Sequence, residues 1–229
     1  AILNHTIKNQ INKILMGIDN LNANIKEKNS EIIESMEVIT ESTNHMLEMV
    51  KRIQEKTSEI ILIEEYYSLH EIIEQSVNMV NSGLENKGVF ITKSCESDIM
   101  LYCDVVHVKE IIINILKNSI EAIEKEGRIN IGVFENKNWI FIEIKDNGKG
   151  ISKEYLGKVI QPFFSTKSNN GLNFGLGLSY CYNTMIKHKG FLEIKSEVNV
   201  GTSVYLNFPK EKVYRAKLRK STQKVYGGI

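Results

Sequence analysis

The sequence predicts an α+β chain: an antiparallel helical hairpin followed by a domain that mixes helices with strands. Three observations predict it. Ile7, Ile11, Ile14, Ile18, Leu21 and Ile25 form an apolar seam with alternating steps of four and three residues. That is the a/d pattern of a coiled coil or bundle. Further on, Arg128–Phe134 and Trp139–Lys145 are β-rich arms around the polar turn Glu135-Asn136-Lys137-Asn138, which reads as a strand hairpin. Between these lies a helix, from Val105 to about Lys125, apolar over most of its girth. The expected parts are residues 1–58, 59–209 and a basic tail, 210–229.

The hairpin comes first. After the polar break Lys26-Glu27-Lys28-Asn29-Ser30, a second seam runs through Ile32, Met36, Ile39, Thr43, Met46, Val50 and Ile53. So short a connection makes the two helices antiparallel. Two helices alone bury little, so pairing of two hairpins into a dimeric four-helix bundle is expected. His5 falls between seam positions on the water-facing side, with Asn9 one turn later. A neutral imidazole near pH 7 has a ring nitrogen free to attack phosphorus.

In the second part, Ile60-Ile61-Leu62-Ile63 reads as a strand, and Ser68-Leu69-His70-Glu71 as a capping box opening a helix to about Val80. Val89–Thr92 and Ile99–Tyr102 read as strands, and Asp104 as the cap of the apolar helix. That helix carries a polar stripe of Glu110, Asn114, Asn118 and Glu121. Asparagine is a mediocre helix former, because its side chain competes for the backbone. The stripe is either an exposed edge or a polar face turned to a cleft, offering amide oxygens to a hard cation.

Past the strand hairpin come three short signatures: Asp146-Asn147-Gly148-Lys149-Gly150-Ile151, Pro162-Phe163-Phe164-Ser165-Thr166-Lys167 and Gly175-Leu176-Gly177-Leu178-Ser179. Glycine pairs flanking a polar segment suggest a nucleotide pocket with a lid. The helix that follows is expected to reach about Lys189, with Gly190 as its stop.

Composition narrows the class. Hydrophobic residues are 42% and charged residues 25% of 229, ordinary for a soluble globular chain. A net charge of +1 gives no overall electrostatic case for nucleic acid or an anionic membrane. Lys210, Lys212, Arg215, Lys217, Arg219, Lys220 and Lys224 are read as a solvated basic tail. Cys95, Cys103 and Cys181 have no metal-ligand or redox spacing and are read as reduced thiols in a cytoplasmic protein. No apolar run approaches the ~18–20 residues of a membrane span. The first residues read as mid-helix, as expected of the soluble end of a longer protein.

Taken together, residues 1–209 resemble the catalytic core of a sensor histidine kinase. Asn4-His5-Thr6-Ile7-Lys8-Asn9 resembles the phosphoacceptor box, Asn114–Glu121 the N box, Asp146–Ile151 and Gly175–Ser179 the two glycine boxes, and Pro162–Lys167 the F box. The resemblance implies a two-layer α/β sandwich of the Bergerat type, shared with DNA gyrase, mismatch-repair and heat-shock chaperone ATPases. It implies that Asp146 accepts from the adenine amino group with Thr202 in support, and that Asn118 holds Mg²⁺ through its amide oxygen. Asn114 and Lys117 would lie near the phosphates of ATP, with Gly148, Gly150 and Ile151 along the nucleotide. Gly175 and Gly177 would begin a helix whose free N–H groups face phosphate, with Leu176 and Leu178 in the same box. Phe163, Thr166 and Lys167 would lie along the F box with Lys167 as a phosphate contact, and Ser168–Phe174 would be the lid.

The implied activity is autophosphorylation of His5 and transfer to an aspartate of a response regulator. One position departs from the pattern: Thr6 stands where the family has a carboxylate after the histidine. Asn9 matches the residue that positions water for dephosphorylating the partner. An ATP-binding scaffold with weak turnover, and a serine kinase on the same fold, are the competing readings.

Overall fold

A computed structural model describes residues 2–24, 30–57, 60–81, 88–96, 99–166 and 175–215. The chain divides into two compact units, Ala1–Glu59 with Phe163–Leu176, and Ile60–Pro162 with Gly177–Ile229. Among the described residues no helix is long and apolar enough to cross a membrane.

In the first unit, α1 (Ile2–Asn24) and α2 (Ser30–Thr57) pack against each other. The heptad divides cleanly between two environments. Ile11 and Ile18 are 4% and 6% exposed, whereas Ile14 and Leu21 are 46% and 55% exposed. The same split recurs in α2, where Met36, Thr43 and Val50 are buried and Ile32, Ile39 and Met46 are exposed. One row of each seam is therefore buried, and the other is exposed among the described residues. The buried Thr43 hydroxyl is satisfied locally, donating to the Ile39 carbonyl at 2.6 Å.

The second unit is an α/β sandwich. A five-stranded sheet has the order β2 (Val89–Ser94), β4 (Gly127–Glu135), β5 (Trp139–Asp146), β7 (Gly201–Pro209), β6 (Phe191–Glu197). Its β2–β4 pair is parallel and the rest antiparallel. A smaller antiparallel sheet joins β1 (Glu65–Ser68), β3 (Ile99–Cys103) and β8 (Val213–Arg215). The helices are α3 (Leu69–Asn78), α4 (Val105–Ala122), the short α5 (Lys153–Leu156) and α6 (Gly177–Lys187). The core places Ile72, Ile73, Ile111, Ile112, Ile115 and Leu116 of α3 and α4 against Ile129, Ile140, Ile142, Ile144, Leu206 and Phe208 of the sheet. Side chains alternate faces along a strand, so Ile140, Ile142, Ile144 and Asp146 all point into this core.

The Ser68 cap is present, accepting from the Glu71 N–H at 3.3 Å, as is the Asp104 cap. Four details differ from the sequence reading. Ile60–Ile63 is not a strand; β1 begins at Glu65. The Ile63 N–H donates to Asp104 Oδ2 at 2.9 Å instead of entering a ladder. Helix α4 ends at Ala122, short of Lys125, because Ile123 is extended and the Lys149 N–H takes the Ala122 carbonyl at 3.0 Å. Helix α6 ends at Lys187, and it is Lys189, at φ +60°, that takes the left-handed turn. Gly190 serves another purpose there, since a Cβ on it would lie 2.2 Å from the Asn207 carbonyl. Lastly, Lys210–Lys212 and β8 belong to the folded domain, where Lys210, Lys212 and Arg215 pair with Glu135, Glu64 and Glu96. Residues 216–229 lie outside the described residues.

His188 is fully buried. Its Nδ1–H donates to the Thr184 carbonyl at 2.9 Å, and Nε2 accepts from the Asp104 N–H at 3.1 Å. A carbonyl can only accept and an N–H can only donate, so one neutral tautomer is fixed. Burial holds the imidazole below its ordinary pKa, against the opposing Thr184 hydrogen bond. The unfolded chain then binds the proton more readily than the folded one. Stability is full above the ordinary histidine value near ~6.5 and falls as pH drops from there toward the depressed folded value. The melting temperature should therefore fall between pH 7.5 and 5.5, and His188→Gln should flatten that slope even if it lowers the melting temperature throughout.

Candidate functional site

The best-defined polar cluster lies at the C-terminal end of β5. Asp146 closes the inward-facing row and is 5% exposed. Its Oδ2 accepts from the Ser119 hydroxyl at 2.8 Å, and its Oδ1 from the Gly148 N–H at 2.9 Å and the Thr202 N–H at 3.2 Å. Burial raises the carboxyl above its ordinary pKa, with those three hydrogen bonds pulling the other way. None of the three comes from a cation. A carboxylate held in this way is acceptor-only, and one further donor from a ligand amino group would stabilise it.

Register explains why these groups meet. Ile129 pairs with Asp146, Asp146 with Thr202, and Thr202 with Ser196. Residues paired directly across a sheet share a face. One row across β4, β5, β7 and β6 thus carries a carboxylate and two hydroxyls, and α4 delivers Ser119 above it. Ser196 Oγ accepts from the Ile151 N–H at 2.8 Å, donates to the Gly201 carbonyl at 2.9 Å, and lies 2.8 Å from Thr202 Oγ1.

Two glycines shape the same corner. Gly150 has φ +70° and a Cβ there would lie 2.0 Å from the Glu197 carbonyl. Gly201 has φ +133°, and a Cβ would lie 2.0 Å from the Asp146 carbonyl. Neither position admits a side chain. At Gly148 a Cβ would meet the Ala122 carbonyl at 2.8 Å, so the protein's own packing already requires these glycines.

Along α4, Asn118 precedes Ser119 and is half-buried, while Lys117 is exposed. Asn114, one turn earlier, carries a buried Nδ2 with no hydrogen-bond partner, one of three such buried side-chain atoms among the described residues. Its Oδ1 would lie 3.8 Å from a Cβ on Gly177, the first residue of α6. An unsatisfied buried donor costs about 1–3 kcal/mol. Beside the start of a helix, such a donor fits an anion's oxygen. Among the described residues no group of three or more His, Cys, Asp or Glu side chains could hold a metal. The amide oxygen of Asn118 fits a cation that brings most of its oxygen ligands with it, as Mg²⁺ on a polyphosphate does.

The structure thus brings together Asp146, Gly148, Ile151 and Thr202, and separately Asn114 and Gly177. Leu178 is half-buried in the first turn of α6. In the first unit, the Phe163 N–H donates to the Gly175 carbonyl at 3.1 Å, closing the two ends of the segment between them. Phe163, at φ +66°, is exposed, as is Thr166, while Leu176 is buried. Lys167 and the expected lid lie outside the described residues, as do the side chains of His5 and Thr6 on α1. Asn9 is exposed on α1. Ser119 and Ser196 are the site residues that sequence reasoning missed.

Residues 103–212 match the family model of the histidine kinase-, DNA gyrase B-, and HSP90-like ATPases. The relatives and solved structures that the chain matches include histidine kinases. Sporulation kinase A of Bacillus subtilis (strain 168) is 27% identical over 192 residues, 78% of this chain and 31% of that protein. Sporulation kinase B of the same organism is 31% identical over 148 residues, 64% of this chain and 34% of that protein. The chain spans about a third of the length of these curated relatives. The nucleotide-free catalytic domain of histidine kinase ThkA is 25% identical, with a TM-score of 0.58, covering 65% of this chain and 98% of that one. The structure of ThkA in complex with response regulator protein TrrA shares the fold, at 21% identity and a TM-score of 0.61, over 92% of this chain and 61% of that one.

Proposed function

We propose that the chain is the catalytic core of an ATP-dependent protein-histidine kinase that phosphorylates His5 and passes the phosphoryl group to an aspartate of a response regulator. The observation that carries this reading is the Asp146 cradle: a buried, acceptor-only carboxylate at a strand end, suited to an amino purine. Thr202 supports it from the next strand. Asn114, Lys117 and the N–H groups of Gly177 and Leu178 receive the phosphates. Gly148, Gly150 and Ile151 carry the backbone along the nucleotide, and Phe163, Thr166, Lys167, Gly175 and Leu176 are assigned to nucleotide binding by the resemblance of their motifs to the F box and second glycine box. Asn118 would hold Mg²⁺, which would supply charge neutralisation at the phosphate oxygens.

A ring nitrogen of His5 attacks the γ-phosphorus, a P–N bond forms, the bond to the bridging oxygen breaks, and ADP leaves. Such transfer depends on positioning and on neutralising charge, so the hairpin must move relative to the ATP domain, with the chain near residues 53–63 as the hinge. The imidazole must also lose a proton. Thr6 is a poor base near neutral pH, which slows this step or gives it to a carboxylate elsewhere. The open heptad rows of α1 and α2 are met by a second hairpin, giving a homodimer. The response regulator as partner takes its cue from the TrrA complex of ThkA, and a cytoplasmic location follows from the use of ATP.

Thr6 favours one second reading, a phosphotransfer scaffold that binds ATP but turns over weakly. Incubation with γ-labelled ATP separates the readings. Acid-labile, alkali-stable label is expected; no label would favour the scaffold, and acid-stable label a serine kinase on the same fold.

Asn9 is assigned to the reverse reaction, orienting water against the phosphorylated partner. Asn9→Ala should lower phosphatase activity about tenfold or more and leave phosphohistidine formation within about twofold, as expected for loss of one water-positioning group. Equal loss of both, measured on the same preparation, would remove the assignment.

A further inference from the structure

We infer that Ser196 is a positioning residue that sets purine specificity by fixing which way the Thr202 hydroxyl points. The inference deepens the adenine reading of Asp146 and Thr202 and rests on it. A serine hydroxyl has one proton and two lone pairs. Ser196 Oγ has three polar neighbours: the Ile151 N–H at 2.8 Å, the Gly201 carbonyl at 2.9 Å and Thr202 Oγ1 at 2.8 Å. The N–H can only donate and the carbonyl can only accept. The Ser196 proton therefore goes to Gly201, and one lone pair takes the Ile151 N–H. The lone pair that remains takes the proton of Thr202.

The consequence falls on Thr202. Its hydroxyl has given away its only proton and presents lone pairs alone. Asp146, its cross-strand neighbour, is acceptor-only as well. The row then offers acceptors without a donor, which suits a purine carrying a 6-amino group and rejects one carrying a 6-keto oxygen. Without Ser196 the Thr202 hydroxyl is free to turn and donate to a keto oxygen. The same serine ties the end of the glycine loop, at Ile151, to the first residue of β7, so loop and hydroxyl are set by one atom.

Isothermal titration with MgADP and MgGDP tests this without turnover. The wild type should prefer ADP. Ser196→Ala should narrow the ADP:GDP affinity ratio by about tenfold, the size of a lost hydrogen bond and its replacement by a wrong one. Ser196→Thr, which keeps the hydroxyl, should hold the wild-type ratio and show that the alanine effect is not general loosening. In a Thr202→Val background, Ser196→Ala should leave the ratio unchanged, because the group it positions is gone. Equal weakening of both nucleotides by Ser196→Ala, or the same narrowing in the Thr202→Val background, would overturn the inference. Asp146→Asn separates the two levels. If it leaves the ADP:GDP ratio at the wild-type value, the adenine reading falls and takes Ser196 with it. If it abolishes the preference while Ser196→Ala keeps it, only the role of Ser196 falls.

Discussion

Asp146→Asn is expected to weaken ATP binding by about a hundredfold or more while leaving the domain folded. A hydrogen bond to a charged group contributes about 1.5–3 kcal/mol. The substitution also turns a donor toward the ligand's amino group, so the loss exceeds that of one contact. The fold tolerates it for a local reason. The amide oxygen can still accept from the Gly148 and Thr202 N–H groups, and the Ser119 hydroxyl can rotate to accept from the new NH₂. Titration calorimetry beside a thermal melt checks both halves. Wild-type affinity in the variant would contradict the adenine role of Asp146; a collapsed melt would contradict the proposed tolerance.

The second large effect lies on the hairpin. Ile14 and Ile39 belong to the heptad rows left exposed within one chain, while Ile11, Ile18, Met36 and Val50 are buried. The double substitution Ile14→Glu, Ile39→Glu places charges where a second hairpin would pack. Burying an unpaired charge costs several kcal/mol, enough to reduce dimerisation by about a thousandfold or more. Because these positions are exposed in the single chain, the helices themselves should survive. Light scattering should show a dimeric wild type and a monomeric variant of unchanged helicity. A monomeric wild type would remove the dimer.

Much of the ATP domain was legible because its pattern is local. The alternation of Ile140, Ile142 and Ile144 carries through to Asp146, so a strand ending in an inward carboxylate could be read directly. Ser68 and Asp104 announced their helices through cap chemistry. The failures have equally physical causes. Ile60–Ile63 has the composition of a strand, but its polar backbone partner is the Asp104 carboxylate, a choice made by tertiary structure. Lys125 was placed in α4 by periodicity, whereas the turn at Ile123 depends on the return of Lys149 to the Ala122 carbonyl. Lys210, Lys212 and Arg215 looked like a solvated run because their partners Glu135, Glu64 and Glu96 are remote in sequence. Ser119 and Ser196 join the site only through packing and register. A signal was present at Ser196, which shares the inward parity of Leu192 and Ile194 and is the polar member of that face. An inward-facing serine near a strand end asks for partners, and here they are the glycine loop and Thr202.

The central claim is that the Asp146 pocket supplies a phosphoryl group to His5, and γ-labelled ATP tests it most directly. Wild type, His5→Gln and Asp146→Asn are incubated with MgATP and compared for protein-bound label. The wild type should carry acid-labile, alkali-stable label. His5→Gln should carry none although it still binds ATP, and Asp146→Asn should carry little at ATP concentrations that saturate the wild type. Undiminished label on His5→Gln, or wild-type labelling of Asp146→Asn at limiting ATP, would contradict the claim.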